Sequence, residues 1–211
     1  MKVIVFGASG GIGKFAVKHA LDKGYEVIAY LRHPEKLKIE HEKLTVIKGE
    51  INDYDEMKYA IDGCNAVIWC VGIPMKRYEH MDSLEGHKNL LKAMEECKVS
   101  RLIDWATPSV CFEKDKKSFI TVVPGIMAGI AFPMAKKELI SIAAEITRSK
   151  HINWTIVRFM APKNSKYTGN VKVGFGDTKM SFNISREDIG AFMVEQLSSS
   201  KYEYSMPIIG S

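Results

Sequence analysis

The chain is poor in the residues that hold small secreted or metal-bound proteins together. Its 211 residues include only four cysteines, Cys64, Cys70, Cys97 and Cys111, and no two of them form a C-x-x-C pair. A disulfide framework and a zinc ribbon are excluded, and reduced thiols in a cytoplasmic protein are the expectation. The patterns around Cys64, Cys70 and Cys97 read as buried. The six histidines show no ligand spacing, so no metal site is expected. No secretory leader is recognisable, because the N-terminus itself reads as a strand. Repeats, linkers, low-complexity segments and nucleic-acid-binding motifs are also missing, and no nucleic-acid partner is expected. The net charge of +5 is modest. The basic clusters Lys114, Lys116, Lys117 and Arg148, Lys150 read as solvated surface, a field that a phosphate-bearing ligand can use.

Long apolar runs are absent too. The nearest approach, Phe119–Ala135, is almost uncharged, but it is shorter than the ~20 residues a spanning helix needs and contains Pro124, Gly125, Gly129 and Pro133. It reads as a buried or pocket-lining loop, with no membrane association expected.

What is present is ordinary for a globular protein: 46% hydrophobic and 26% charged residues. Strand-like runs at Val3–Phe6, Glu26–Leu31, Leu44–Ile47, Ala66–Cys70, Leu102–Trp105 and Trp154–Arg158 alternate with helical patterns at Gly13–Lys23, Asp55–Ile61, Ser83–Cys97 and Ala135–Ser149. Such alternation predicts an α/β chain with a doubly wound, Rossmann-like parallel sheet. The short apolar strands suit burial on both faces. One domain over residues 1–211 is expected. Its last part, from about residue 159, supplies a small C-terminal substrate lobe, comprising Val171–Asn183, a helix over Arg186–Leu197, and Tyr204–Ile209.

The first strand runs straight into Gly7-Ala8-Ser9-Gly10-Gly11-Ile12-Gly13, and a helix follows. Strand, tight turn and helix together cradle a dinucleotide pyrophosphate. Gly7 takes the turn, Gly10 or Gly11 admits the phosphates, and Gly13 lets the helix pack on the strand. The helix N-terminus then offers unpaired N–H groups and its positive dipole end. About 20 residues on, where an NAD site carries an acid for the ribose hydroxyls, the second strand ends in Arg32-His33-Pro34-Glu35-Lys36. A guanidinium binds a 2′-phosphate that an acid would repel, so Arg32, with Lys36 behind it, favours NADP(H).

These segments resemble atypical short-chain dehydrogenase/reductases of the NmrA-like, NAD(P)H-binding group, and within it the flavin reductase/biliverdin reductase B type. Further carriers of the resemblance are Gly49-Glu50-Ile51-Asn52-Asp53, Ala66-Val67-Ile68-Trp69-Cys70-Val71-Gly72, Trp154-Thr155-Ile156-Val157-Arg158 and Ile184-Ser185-Arg186-Glu187-Asp188-Ile189. The resemblance implies that Glu50 and Ile51 flank the adenine, and that Cys70, Val71 and Gly72 lie along the nicotinamide ribose. Glu50 replaces the usual Asp. Cys70 is read as a packing thiol rather than a nucleophile.

Most short-chain dehydrogenases use Tyr-x-x-x-Lys with an upstream hydroxyl residue, the tyrosine passing a proton to the substrate oxygen. The one such spacing here, Tyr54 to Lys58, precedes the fourth strand on the adenine side and reads as coincidence. In the expected region the chain has Phe132-Pro133-Met134-Ala135-Lys136, a spacing with phenylalanine in place of the acid. Thr107 or Ser109, flanking Pro108, and Lys136 are the candidate catalytic residues. Arg158 reads as structural. Phe119, Ile120, Ile126, Met127, Ile130, Phe132, Met134 and Met160 offer an apolar cover for a flat ligand. The resemblance thus implies an NADPH-dependent reductase of a flavin, FMN included, or a similar planar acceptor. The competing reading is a redox sensor that holds NADP(H) without turnover. An epimerase or dehydratase would need the missing tyrosine. The partner expected is a small-molecule acceptor, on a monomer or homodimer.

Overall fold

The computed structural model describes residues 1–74 and 78–211. Its elements, in chain order, are β1 (Lys2–Phe6), α1 (Gly13–Asp22), β2 (Glu26–Leu31), β3 (Leu44–Lys48), α2 (Tyr54–Ile61), β4 (Ala66–Trp69), α3 (Asp82–Glu96), β5 (Arg101–Ala106), α4 (Phe119–Ala131), α5 (Pro133–Arg148), β6 (Asn153–Arg158), β7 (Pro162–Lys163), β8 (Lys172–Gly174), β9 (Ile184–Ser185), α6 (Arg186–Glu195) and β10 (Ile208–Gly210). The main sheet has the order β3-β2-β1-β4-β5-β6-β10-β8, and β7 pairs with β9 apart from it. All neighbours in the main sheet are parallel except β10 and β8. The fold is Rossmann-like.

β1 pairs with β2 on one side and β4 on the other, with Phe6 opposite both Tyr30 and Trp69. The chain winds outward from β1 to β3, then returns to continue in the opposite direction. Ligands of such sheets bind at this reversal, beyond the carboxyl ends of the strands. Alternation along β1 splits its side chains between two cores. Val3 and Val5 face α1 and α6, packing with Ala16, Val17, Ile189 and Met193. Ile4 and Phe6 face α2, α3 and α5, packing with Met57, Leu90, Met94 and Ile142. Helix starts are held by short polar side chains: Asp53 accepts the Glu56 N–H at 3.1 Å, and Ser185 accepts the Asp188 N–H at 3.0 Å.

The stretch expected as a buried or pocket-lining loop, Phe119–Ala135, is instead helical: Phe119–Ala131 forms α4, and α5 has already begun at Pro133. Pro124 removes one internal hydrogen bond, yet the helix persists because it packs on α5 through a Phe132–Pro133 corner. Pro124 is the one buried residue of α4; Phe119, Val122, Ile126 and Ile130 are exposed. The chain beyond residue 159 is continuous with the main layer: β10 and β8 extend the sheet, and α6 packs on α1. A Cβ on Gly190 would lie 2.9 Å from the Ala16 nitrogen, so that glycine permits the close α6–α1 approach. Cys64 is buried as expected, but Cys70 and Cys97 are half-buried and Cys111 is exposed; all four thiols are free. Among the described residues no helix is long and apolar enough to cross a membrane, and no His/Cys/Asp/Glu group could hold a metal ion.

Candidate functional site

The turn after β1 is built on backbone constraints. Gly7 has φ +71°, and a Cβ there would sit 2.8 Å from the Cys70 carbonyl carbon of β4's exit. The Gly10 N–H donates to the Gly7 carbonyl at 2.9 Å, closing the turn. A Cβ on Gly13 would lie only 2.2 Å from that same carbonyl oxygen, so only glycine lets α1 start this close to β1. Among the described residues, the N–H groups of Gly11, Ile12 and Gly13 find no hydrogen-bond partner. The N-cap, Ile12, supplies none either. Unpaired amides at a helix start, with the dipole behind them, form an anion cradle.

Two cavities open from this cradle. The polar one, about 460 Å³, is lined by Gly7, Ser9 and Gly10, by Arg32, His33 and Lys36 after β2, by Gly49, Glu50 and Ile51 after β3, and by Cys70, Val71 and Gly72 after β4. Arg32 and Lys36 are exposed, so both cations can reach a ligand. Glu35 lies 3.4 Å from His33 Nδ1 and lines neither cavity. Tyr30 closes the floor, its hydroxyl donating to the Glu50 carbonyl at 3.0 Å, and burial pushes that phenol's pKa up. A Cβ on Gly49 would strike the Tyr30 ring, which accounts for the glycine before Glu50. Ala8 and Gly13 line neither cavity; they lie buried behind the turn.

The other cavity, about 650 Å³, is chiefly apolar. Gly10, Cys70 and Gly72 belong to both walls, so the two cavities form one trough across the sheet's edge. Gly11 and Ile12 line its near end. Thr107 and Ser109, from the turn after β5, line it with their hydroxyl oxygens 2.6 Å apart. Lys136 lines it from α5, its ammonium donating to the Gly125 carbonyl of α4 at 2.8 Å. The three sequence candidates for chemistry therefore share one chamber. Of the expected apolar cover, Met127, Phe132 and Met160 line it, whereas Phe119, Ile120, Ile126, Ile130 and Met134 do not. Those five lie on α4's outer surface or at its corner with α5. Burial pushes the Cys70 thiol's pKa strongly up, which suits a packing role.

Tyr54 and Lys58 lie on α2 and line neither cavity; Lys58 is paired with Glu96 at 2.6 Å. Arg158 is buried and spends its donors on protein: Nη1 reaches Asp115 and the Val110 carbonyl at 2.7 Å, and Nε reaches the Met206 carbonyl at 2.8 Å. It pins the loop between β5 and α4.

Sequence reasoning missed several lining residues. Glu138 of α5, buried beside the polar cavity, accepts from Tyr78 at 2.6 Å and from the Leu84 N–H at 3.0 Å, capping α3 from another helix. Ser83 lines the same cavity, and its buried hydroxyl has no partner among the described residues. Arg186, at the start of α6, lines the apolar cavity beside Gly11. Arg186 sits in one of the segments that carry the resemblance, but nothing local announces that it, Glu138 or Ser83 borders the trough, since each reaches it by helix packing.

A nucleotide cofactor fits these residues. The cradle has unpaired amides and glycines at each close approach, an orphaned hydroxyl borders the polar cavity, and two cations stand at its rim.

The chain matches the model of the NAD(P)H-binding family over residues 7–200. Among curated proteins, it is 33% identical over 111 residues to cinnamoyl-CoA reductase 1 of Arabidopsis thaliana, covering 48% of this chain and 32% of that one. It is 28% identical over 120 residues to a 3-beta-hydroxysteroid dehydrogenase of Mycolicibacterium neoaurum, covering 52% of this chain and 32% of that one. The matches span about a third of these relatives' length. Among solved structures, a candidate epimerase from Bacteroides thetaiotaomicron superposes with TM-score 0.80 at 26% identity, over 99% of this chain and 96% of that one. A short-chain dehydrogenase/reductase from Veillonella parvula, solved with NADP, shares the fold with TM-score 0.78 at 17% identity, over 100% and 94%.

Proposed function

The chain belongs to the NAD(P)H-binding family, and from that premise we propose that it is an NADP(H)-dependent reductase whose acceptor is a flavin or another planar, conjugated, largely apolar molecule. The observation that carries this reading is the single trough formed by the polar and apolar cavities, which meet at Gly10, Cys70 and Gly72. The polar half suits the adenosine end, with Arg32 and Lys36 as the cations for a 2′-phosphate. The apolar half leaves room beside the nicotinamide end for a second, flat molecule.

NADPH, when bound, supplies a hydride; the acceptor takes it with one proton, leaving NADP⁺. The residues of the chamber bind and shield. Met127, Phe132 and Met160 give an adaptable apolar cover that excludes water. The Thr107–Ser109 hydroxyl pair offers a hydrogen bond to the acceptor's edge. Lys136 sets a positive charge at the wall. Cys70, Lys136 and Arg186 are the only titratable groups among the described residues lining the chamber, and no phenol is among them. An acceptor whose added charge delocalises over a ring needs little acid catalysis and can take its proton from solvent. The cinnamoyl-CoA reductase among the curated relatives, matched over 48% of this chain, fits the same direction of chemistry.

The missing phenol equally favours the second reading, a protein that senses NADP(H) without turnover. NADPH oxidation measured with FMN, with dichlorophenolindophenol, with an aldehyde and without acceptor separates the two. Reduction of the planar acceptors and not of the aldehyde is expected. Tight NADPH binding with no acceptor-dependent oxidation would replace the reductase by the sensor.

A further inference from the structure

The glycine turn has no cation of its own. Lys14 directs its ammonium over the Phe15 ring, 4.9 Å from the centroid, and Lys18 is paired with Glu187 at 2.9 Å. Arg32 and Lys36 belong to the far end of the polar cavity, and a pyrophosphate on this turn would carry two negative charges. Among the described residues, a basic group reaches the turn from far along the chain. Arg186 is the first residue of α6, and a Cβ on Gly11 would lie 2.9 Å from its Nε. The approach is enforced by packing: one turn further along α6, Gly190 abuts Ala16 and Phe15 of α1, so the two helices bring their first residues together. Gly11 thus also makes room for a guanidinium.

We propose that Arg186 is the pyrophosphate-binding cation of this site, and that it links the phosphates to the loop forming the acceptor chamber's outer wall. The proposal rests on the nucleotide reading above and extends it to a residue outside the glycine motif. Its Nη1 donates to Asn164 Oδ1 at 2.8 Å, and Nε and Nη2 have no partner among the described residues. A guanidinium carries five N–H donors in a fixed fork, so one can anchor it while others meet phosphate oxygens. Asn164 follows β7 directly, and Met160, Ala161 and Pro162 just before it line the apolar cavity. Two residues after Arg186, buried Asp188 accepts from the Thr168 N–H at 3.0 Å and the Gly169 N–H at 2.8 Å, fastening the far end of the same loop. The start of α6 therefore holds that loop at two points, one of them through the guanidinium offered to the phosphates.

The test is calorimetric titration of NADPH, NADH and 2′-AMP into the wild type, Arg186→Gln and Asn164→Ala. Because both dinucleotides carry the pyrophosphate and 2′-AMP does not, Arg186→Gln should weaken NADPH and NADH alike, by about 10- to 100-fold, and leave 2′-AMP within about twofold. Asn164→Ala, which frees the guanidinium without removing it, should show the same pattern at about 2- to 5-fold. Should Arg186→Gln fail to fold, Arg186→Lys keeps a cation without the fork and should lose about 3- to 10-fold on both dinucleotides. Unchanged dinucleotide affinity in the folded variant, a loss confined to NADPH, or an equal loss for 2′-AMP would each overturn the assignment of Arg186. A wild type that binds none of the three would instead overturn the nucleotide reading itself.

Discussion

The two halves of the trough are built in opposite ways. The polar half is built first on backbone: a positive-φ glycine, unpaired amides, and loops that leave neighbouring strands within the first 72 residues, with side chains such as Ser83 and Glu138 added from α3 and α5. The apolar half is made of side chains gathered from the turn after β5, from α4 and α5, and from the loop after β6. Backbone geometry tolerates almost no substitution, whereas an apolar wall tolerates many that keep its volume. A nucleotide common to many reactions suits the first kind of construction, and an acceptor that varies between relatives suits the second.

The sharpest way to break the polar half is Gly13→Ala. The new methyl would meet a backbone oxygen at 2.2 Å, and no side chain can move aside to relieve it. A stability loss of about 2–3 kcal/mol in denaturant unfolding is expected, together with loss of measurable NADPH binding. Ordinary affinity in that variant would mean the turn is not the cradle. Next in size is Arg32→Ala, which should weaken NADPH by about 1.5–3 kcal/mol and leave NADH unchanged; equal NADPH affinity in the two proteins would remove Arg32 from the site. On the apolar side, Phe132→Tyr would place a phenol four residues before Lys136 in the chamber wall. Aldehyde reduction should rise about tenfold or more, the low end of what a positioned proton donor contributes. No gain would show that position 132 does not reach the acceptor. The smallest effect is reserved for Tyr54→Phe, outside both cavities: turnover should change by less than about threefold, under 1 kcal/mol of barrier. A hundredfold loss with folding intact would move the chemistry to α2.

The contrast also explains what could be read before the fold was seen. The six central strands and α1, α2, α3 and α5 carry local signals, namely apolar runs, caps and glycine stops, and their observed limits lie within two residues of those expected. The glycine turn, Arg32 and Thr107–Ser109 announced themselves by spacing from strand ends. α4 did not, because Pro124 and two glycines argue locally for a loop and only packing against α5 makes the segment helical. For the same reason four of its expected cover residues, Phe119, Ile120, Ile126 and Ile130, turned out to line neither cavity. The placement of Arg186 and Glu138 at the trough was illegible for a different cause: each borders it through helix packing or a tertiary hydrogen bond with no counterpart in sequence distance.

The most direct test of the two-part trough is Ala128→Trp, which puts an indole into the apolar cavity from α4, at a residue that does not line the polar one. NADPH affinity and acceptor-dependent NADPH oxidation would be measured side by side on wild type and variant. NADPH affinity within about twofold of wild type, with acceptor turnover lowered at least about tenfold, is the predicted result. Unchanged turnover, or NADPH affinity falling in step with it, would contradict the division of the site into a nucleotide half and an acceptor half.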